Sequence, residues 1–224
     1  MRAFVAELIG TALLVFITVG VDVIAPKGAG LLGIGATAGL TYAALFYSVA
    51  QLSGGQLNPV LSLAAYRNQA LSARGLAKYI LAQVTGAILG AGGIWLVVQG
   101  LPAPYDITTF GFAHNGWGTG YVDAYAMSSA LIIEFVGSTA LAVVYLTTRP
   151  LLLRGLTVGA LLMVLHWLGL YVTGASYNPA YSVATALFAG ADALRQVWLF
   201  IVVPMVGSLA GASISRYLVL SEYP

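Results

Sequence analysis

The chain has 224 residues, of which 60% are hydrophobic and only 7% charged, with a mean hydropathy of +0.92 and a formal net charge of +2. An ordinary soluble domain carries about 25% charged residues, so this composition cannot cover a water-facing surface and reads as an integral membrane protein. The small net charge, without any basic run, gives nucleic acid nothing to bind, and the lack of Cys excludes disulfides, thiolate catalysis and Cys-held metal.

In chain order, the first apolar stretch covers roughly residues 3–25, carries Glu7, and is long enough to span a bilayer rather than act as a cleaved leader. A second span covers 31–52. It runs into Ser53-Gly54-Gly55-Gln56-Leu57 and then Asn58-Pro59-Val60, which opens a short apolar stretch over about 58–67. At 1.5 Å per residue that stretch cannot cross. A third span, about 75–100, contains Gly86 and Gly90. The longest loop, about 101–124, holds Asp106, His114 and Asp123 but no Lys or Arg. A fourth span (125–147) carries Glu134, and a fifth covers 152–173. Thr173-Gly174-Ala175-Ser176-Tyr177 then leads into Asn178-Pro179-Ala180 and a second short stretch, 178–190. The sixth span, 194–219, contains Gly207 and Gly211.

The halves repeat. The two Asn-Pro motifs lie 120 residues apart (178 minus 58), and the segment around Glu7 resembles the segment around Glu134. Pro directly after a candidate N-cap Asn is the expected order for a helix start. Three spans plus a short helix that dips back, when repeated, place the second copy upside down, with a two-fold pseudo-axis in the membrane plane. The predicted fold is therefore an all-α membrane protein of six transmembrane helices and two re-entrant half-helices. It is read as one domain over 1–224, with inverted repeats about 1–100 and 125–219. Arg2, Arg67, Arg74, Lys78, Arg149, Arg154 and Arg216 fall on one side and Lys27 and Arg195 on the other, which places both termini in the cytoplasm.

Inversion brings Asn58 and Asn178 together near mid-membrane. Each half-helix N-terminus carries roughly half a positive charge and unpaired N–H groups, so two of them facing one centre oppose cations. Each Asn can cap its own helix and still present an N–H to the lumen. The backbone carbonyls of Gly54, Gly55, Gln56, Gly174, Ala175 and Ser176 would line the approaches, since irregular backbone at this depth is tolerated where it faces an aqueous cavity. A coupled secondary transporter also uses inverted repeats and broken helices, but neither interruption contains an ionisable residue. His114 and His166 stand apart, so neither a metal site nor a cofactor is expected.

These motifs, with the Glu7 and Glu134 segments and the paired glycines, cover the whole chain and resemble the aquaporin and aquaglyceroporin (major intrinsic protein) family. The resemblance implies a passive channel for water, with small neutral solutes such as glycerol, urea, ammonia or hydrogen peroxide as the alternative cargo. It further implies a homotetramer in the lipid bilayer, with one pore per subunit and no enzymatic activity. It makes Glu7 and Glu134 acceptors for the unpaired N–H groups of the re-entrant loops, where intramembrane carboxylates read alone are candidates for proton relays. It places the central constriction at Asn58 and Asn178, with Pro59, Val60, Pro179 and Ala180 starting the half-helices.

Counted from the two Asn residues, the family's selectivity filter falls on Ala38, His166, Ala175 and Tyr181. His166, Ser182 and Ala186 agree with the water-selective branch, in which the His donates a hydrogen bond. Tyr181 replaces the usual Arg, and Ala38 a usual large aromatic. The Tyr181 ring is expected to refill that space with its hydroxyl as donor or, failing that, to block it. Arg195 is the nearest downstream Arg that could reach back.

Overall fold

The computed structural model describes residues 1–220, apart from the side chains of Lys27 and Leu220. The C-terminal four residues, and with them the expected cytoplasmic C-terminus, lie outside the described residues, as does the Lys27 side chain counted toward the opposite face. The described residues form α1 (Arg2–Ile24), α2 (Pro26–Ser53), α3 (Pro59–Arg67), α4 (Ala73–Val98), α5 (Ile107–Phe110), α6 (Met127–Thr147), α7 (Leu151–Thr173), α8 (Pro179–Ala189) and α9 (Ala191–Leu220), with no strand among them. Six of these, α1, α2, α4, α6, α7 and α9, are long and apolar enough to cross a membrane. The predicted spans match, except that α2 begins five residues early and bends at Gly30 (φ 58°), and the long loop contains the single-turn α5.

Local chemistry explains the element ends. Pro26, Pro59 and Pro179 each stand at the first turn of a helix, where the missing N–H costs nothing. Gly54 and Gly174 end α2 and α7 in the left-handed region, at φ 89° and 83°. Ser72 caps α4 by accepting from Gly75 N at 3.0 Å.

Packing follows the repeat. α1 lies against α4 and α6 against α9, while α2 meets α7 across the pseudo-axis. Both half-helices, α3 and α8, pack on both α4 and α9, so each repeat holds the other's interruption. Large side chains such as Leu40, Leu89, Ile132, Leu152 and Leu168 point outward, where lipid is the compatible solvent.

Glycine sets the helix approach distance. A Cβ added at Gly86 or Gly90 would run into the Leu8 or Ala12 carbonyl of α1, and one at Gly207 or Gly211 into the Phe135 or Thr139 carbonyl of α6. Gly39 and Gly159 stand against each other's carbonyls at the α2–α7 crossing. Small residues at matched spacing therefore set the close backbone approach that membrane helices use for packing. Gly90→Val should lower the thermal unfolding midpoint in detergent, at a cost of about 1–3 kcal/mol or more from forced backbone displacement. Gly28→Val, with open space around it, should leave the midpoint in place. Equal midpoints for both variants would contradict this packing account.

Candidate functional site

The two interruptions meet at a reciprocal pair of asparagines. Asn58 Oδ1 accepts from Val60 N at 2.8 Å, and Asn178 Oδ1 accepts from Ala180 N at 3.1 Å and Tyr181 N at 3.4 Å, so each caps its own half-helix. Each amide nitrogen then reaches across. Asn58 Nδ2 donates to the Tyr177 carbonyl at 2.9 Å, and Asn178 Nδ2 donates to the Leu57 carbonyl at 3.2 Å. Those carbonyls belong to the residue just before the opposite Asn. An amide nitrogen has two hydrogens, which leaves one N–H of each Asn for the space between. That space is a cavity of about 20 Å³ open to water-sized spheres, touched by Asn58, Asn178, Ser176, Tyr42, Leu61 and Val158 among others. One water molecule needs about 10–15 Å³, so the cavity has room for about one water between the asparagines.

The approach loops are conformational copies. Gly54 and Gly174, Gly55 and Ala175, and Leu57 and Tyr177 all take positive φ, with values of 54° and 48° at the last pair. Non-glycine residues there cost of order 1–3 kcal/mol each, and the loops are held against that cost by buried carboxylates. Glu7 is fully buried and accepts from Ser53 Oγ at 2.6 Å, Gln56 N at 3.0 Å, Leu57 N at 2.7 Å and Gln83 Nε2 at 2.7 Å. Glu134, also fully buried, accepts from Thr173 Oγ1 at 2.8 Å and Tyr177 N at 3.2 Å. Gln83 has no counterpart in the second half, where Pro204 stands 121 residues on, matching the offset of the paired glycines. Pro59, Val60, Pro179 and Ala180 are buried at the half-helix starts, and the Val60 carbonyl accepts from Ser208 Oγ at 2.6 Å.

The carbonyl ladder is unequal. Gly174, Ala175 and Ser176 carbonyls have no protein donor among the described residues. Those of Gly54 and Gly55 are occupied, by Tyr145 Oη at 3.3 Å and Tyr42 Oη at 3.1 Å. Each of these two keeps a second lone pair, and the Gln56 carbonyl has no protein donor among the described residues.

The filter positions come out differently from their sequence reading. Ala38 and Ala175 are buried. His166 Nδ1 lies 2.8 Å from the Leu162 carbonyl. A carbonyl only accepts, so Nδ1 carries the proton and Nε2 of the neutral ring is an acceptor rather than the expected donor. Tyr181 neither offers a free hydroxyl nor stands as a loose plug. Its hydroxyl donates to the Ala113 carbonyl at 2.9 Å and its ring packs on the cluster of Val15, Val19, Phe112 and Ala184. Arg195 does not reach back, because it pairs with Asp192 at 2.7 Å on an exposed surface.

On the Tyr181 side a vestibule of about 870 Å³ opens, lined by Asp22, Ala113, His114, Tyr121 and Gly174 among others. The long loop that walls it is tied down by Asn115 Nδ2 on the Thr173 carbonyl at 2.9 Å and Tyr121 Oη on the His114 carbonyl at 2.9 Å. Sequence reasoning did not single out Tyr42, Tyr145, Gln83 or Asn115. Gln83, a polar residue inside an apolar span, was the one legible signal, whereas the two tyrosines resemble any other aromatic in a span.

The family model described as major intrinsic protein matches residues 1–215. Aquaporin Z of Photorhabdus laumondii is 34% identical over 226 residues, covering 97% of both chains. Aquaporin Z of Rhodopseudomonas palustris is 35% identical over 229 residues, covering 99% of this chain and 94% of that one. In fold, the chain is similar to the aquaglyceroporin from Plasmodium falciparum, with a TM-score of 0.84, 18% identity and coverage of 99% and 97%.

Two outcomes are expected. Glu7→Ala should destabilise the protein more than Glu134→Ala, because it orphans three donors (Gln56 N, Leu57 N and one Gln83 Nε2 hydrogen, with Ser53 Oγ keeping the Val49 carbonyl) rather than two, each costing about 1–3 kcal/mol when buried; a reversed order of unfolding midpoints would refute this. Burial pushes the His114 imidazole below its ordinary value. Protonation then favours the unfolded chain, so this stabilisation is complete above the ordinary value of about 6.5 and is lost as pH falls through the lowered one. His114→Gln should flatten the acid limb of midpoint against pH, and an unchanged limb would count against it.

Proposed function

The chain belongs to the major intrinsic protein family, and from that premise we propose that it is a passive, bidirectional water channel. The observation that carries the proposal is the reciprocal Asn58–Asn178 pair at a cavity with room for about one water. A water molecule arriving there meets donors from both asparagines and turns its oxygen toward them, while the Gly174, Ala175 and Ser176 carbonyls accept its hydrogens on one side. Cations meet two half-helix N-termini, each equivalent to roughly half a positive charge, as in aquaporin-type pores generally. Glu7 and Glu134 act as supports for the loops, because their oxygens are already occupied by loop donors.

The filter assigned to this pore is Ala38, His166, Ala175 and Tyr181. With Arg195 on the surface and the Tyr181 hydroxyl engaged by Ala113, its polar character comes from an acceptor at His166 Nε2 and the Ala175 carbonyl. Small neutral solutes such as ammonia, hydrogen peroxide, urea or glycerol are the secondary cargo, favoured by the small side chain at Ala38. The protein is read as a homotetramer, with each subunit one channel unit and both termini on the cytoplasmic side.

Stopped-flow osmotic shrinkage of proteoliposomes, with glycerol, urea and ammonia run on the same vesicles, tests this reading. Water flux should exceed that of empty vesicles and exceed glycerol flux; flux equal to empty vesicles for every solute would remove the proposal. Tyr181→Arg should leave water flux within a fewfold and lower any proton leak seen with a pH dye.

A further inference from the structure

The pseudo-symmetry that places the filter on one side of the asparagines also places a counterpart on the other. Shifting by the 120 residues that separate Asn58 from Asn178 carries His166 onto Phe46, Ala38 onto Val158, Ala175 onto Gly55 and Tyr181 onto Leu61. The large vestibule lies on the filter side, where it reaches Ala113 and Gly174. On the other side Tyr42, Leu61 and Val158 line the small central cavity, and Phe46 is buried against the loop beyond it.

Three contacts pack aromatic rings onto the loop on that side. The Tyr42 hydroxyl donates to the Gly55 carbonyl at 3.1 Å, and its ring touches the central cavity beside both asparagines. The Tyr145 hydroxyl donates to the Gly54 carbonyl at 3.3 Å while accepting from Gln56 Nε2 at 3.1 Å. The Phe46 ring lies so close over Gly55 that an added Cβ would sit 2.7 Å from it. Arg154 covers the Tyr145 ring at 5.1 Å and is itself held by the Thr148 carbonyl at 2.9 Å. Two of the three carbonyls along this half, those of Gly54 and Gly55, therefore each hold a phenol, whereas those of Gly174, Ala175 and Ser176 have no protein donor among the described residues.

We propose that the pore has a second constriction on the side of the asparagines opposite the vestibule, in which Tyr42 donates to the Gly55 carbonyl, Tyr145 donates to the Gly54 carbonyl, Phe46 packs over Gly55, and the three together limit water passage. Water exchanges for the phenol at each carbonyl, and the ring of Tyr42 must turn aside for the file to pass. Conduction is set there rather than at Tyr181. This rests on the water-channel reading.

The test compares wild type, Tyr42→Phe and Tyr42→Ala in proteoliposomes of equal protein content, with water flux measured over a temperature series. Tyr42→Phe keeps the ring and removes its bond to Gly55. It should raise water permeability by up to about fivefold, the shift that one net hydrogen bond gives a two-state equilibrium. Tyr42→Ala should raise it at least as far and lessen its temperature dependence. Should the alanine variant fail to fold, the phenylalanine variant decides. Wild-type flux above empty vesicles with folded variants equal to it would overturn the constriction and leave the channel reading standing. Flux equal to empty vesicles in all three would overturn both.

Discussion

Backbone N–H groups in the middle of a membrane have no water to bond to, and the rest of this structure follows from that. Two loops and two helix starts leave their donors at mid-depth, where each unsatisfied group costs several kcal/mol. The protein brings acceptors to them. Glu7 and Glu134 take the loop donors, and the asparagine side chains take the first N–H groups of α3 and α8. These acceptors have to be aimed within a few tenths of an ångström, which fixes where the spans that carry them can lie. The glycines at the α1–α4 and α6–α9 crossings let those spans come close enough.

Once the donors are satisfied, the left-handed residues before each asparagine become tolerable, and the asparagine amides are free to cross-link the halves. The site at the centre is thus a by-product of hydrogen-bond satisfaction as much as a binding site. What remains unpaired there is one N–H per asparagine, and a small polar molecule is what such a remnant attracts.

The two halves solve the same problem with unequal means. Glu7 has Gln83 as an additional donor, and Glu134 faces a half in which Pro204 stands instead. The Gly54 and Gly55 carbonyls of the first loop hold phenols, while the matching Gly174 and Ala175 carbonyls have no protein donor among the described residues. A pore built from an inverted repeat therefore has two distinct ends, one open to a vestibule and one packed with aromatic rings.

Most of the architecture was legible in the chain. The span lengths, the Pro after each Asn and the matched glycines depend on period and local chemistry, so they survive folding unchanged. Asn58, Asn178, Glu7 and Glu134 were legible because a polar residue in an apolar span must find a partner. The filter was legible only as positions. Whether His166 offers a donor or an acceptor is decided by a carbonyl one turn earlier, and whether Tyr181 projects or folds back is decided by Ala113 on a distant loop. The roles of Tyr42 and Tyr145 were invisible for the same reason. The sequence by itself determined that the chain crosses the membrane six times and dips back twice, because composition and periodicity act locally. Only the tertiary structure decided which carbonyls remain free, because a hydrogen bond between α2 or α6 and a loop exists only once the helices have packed.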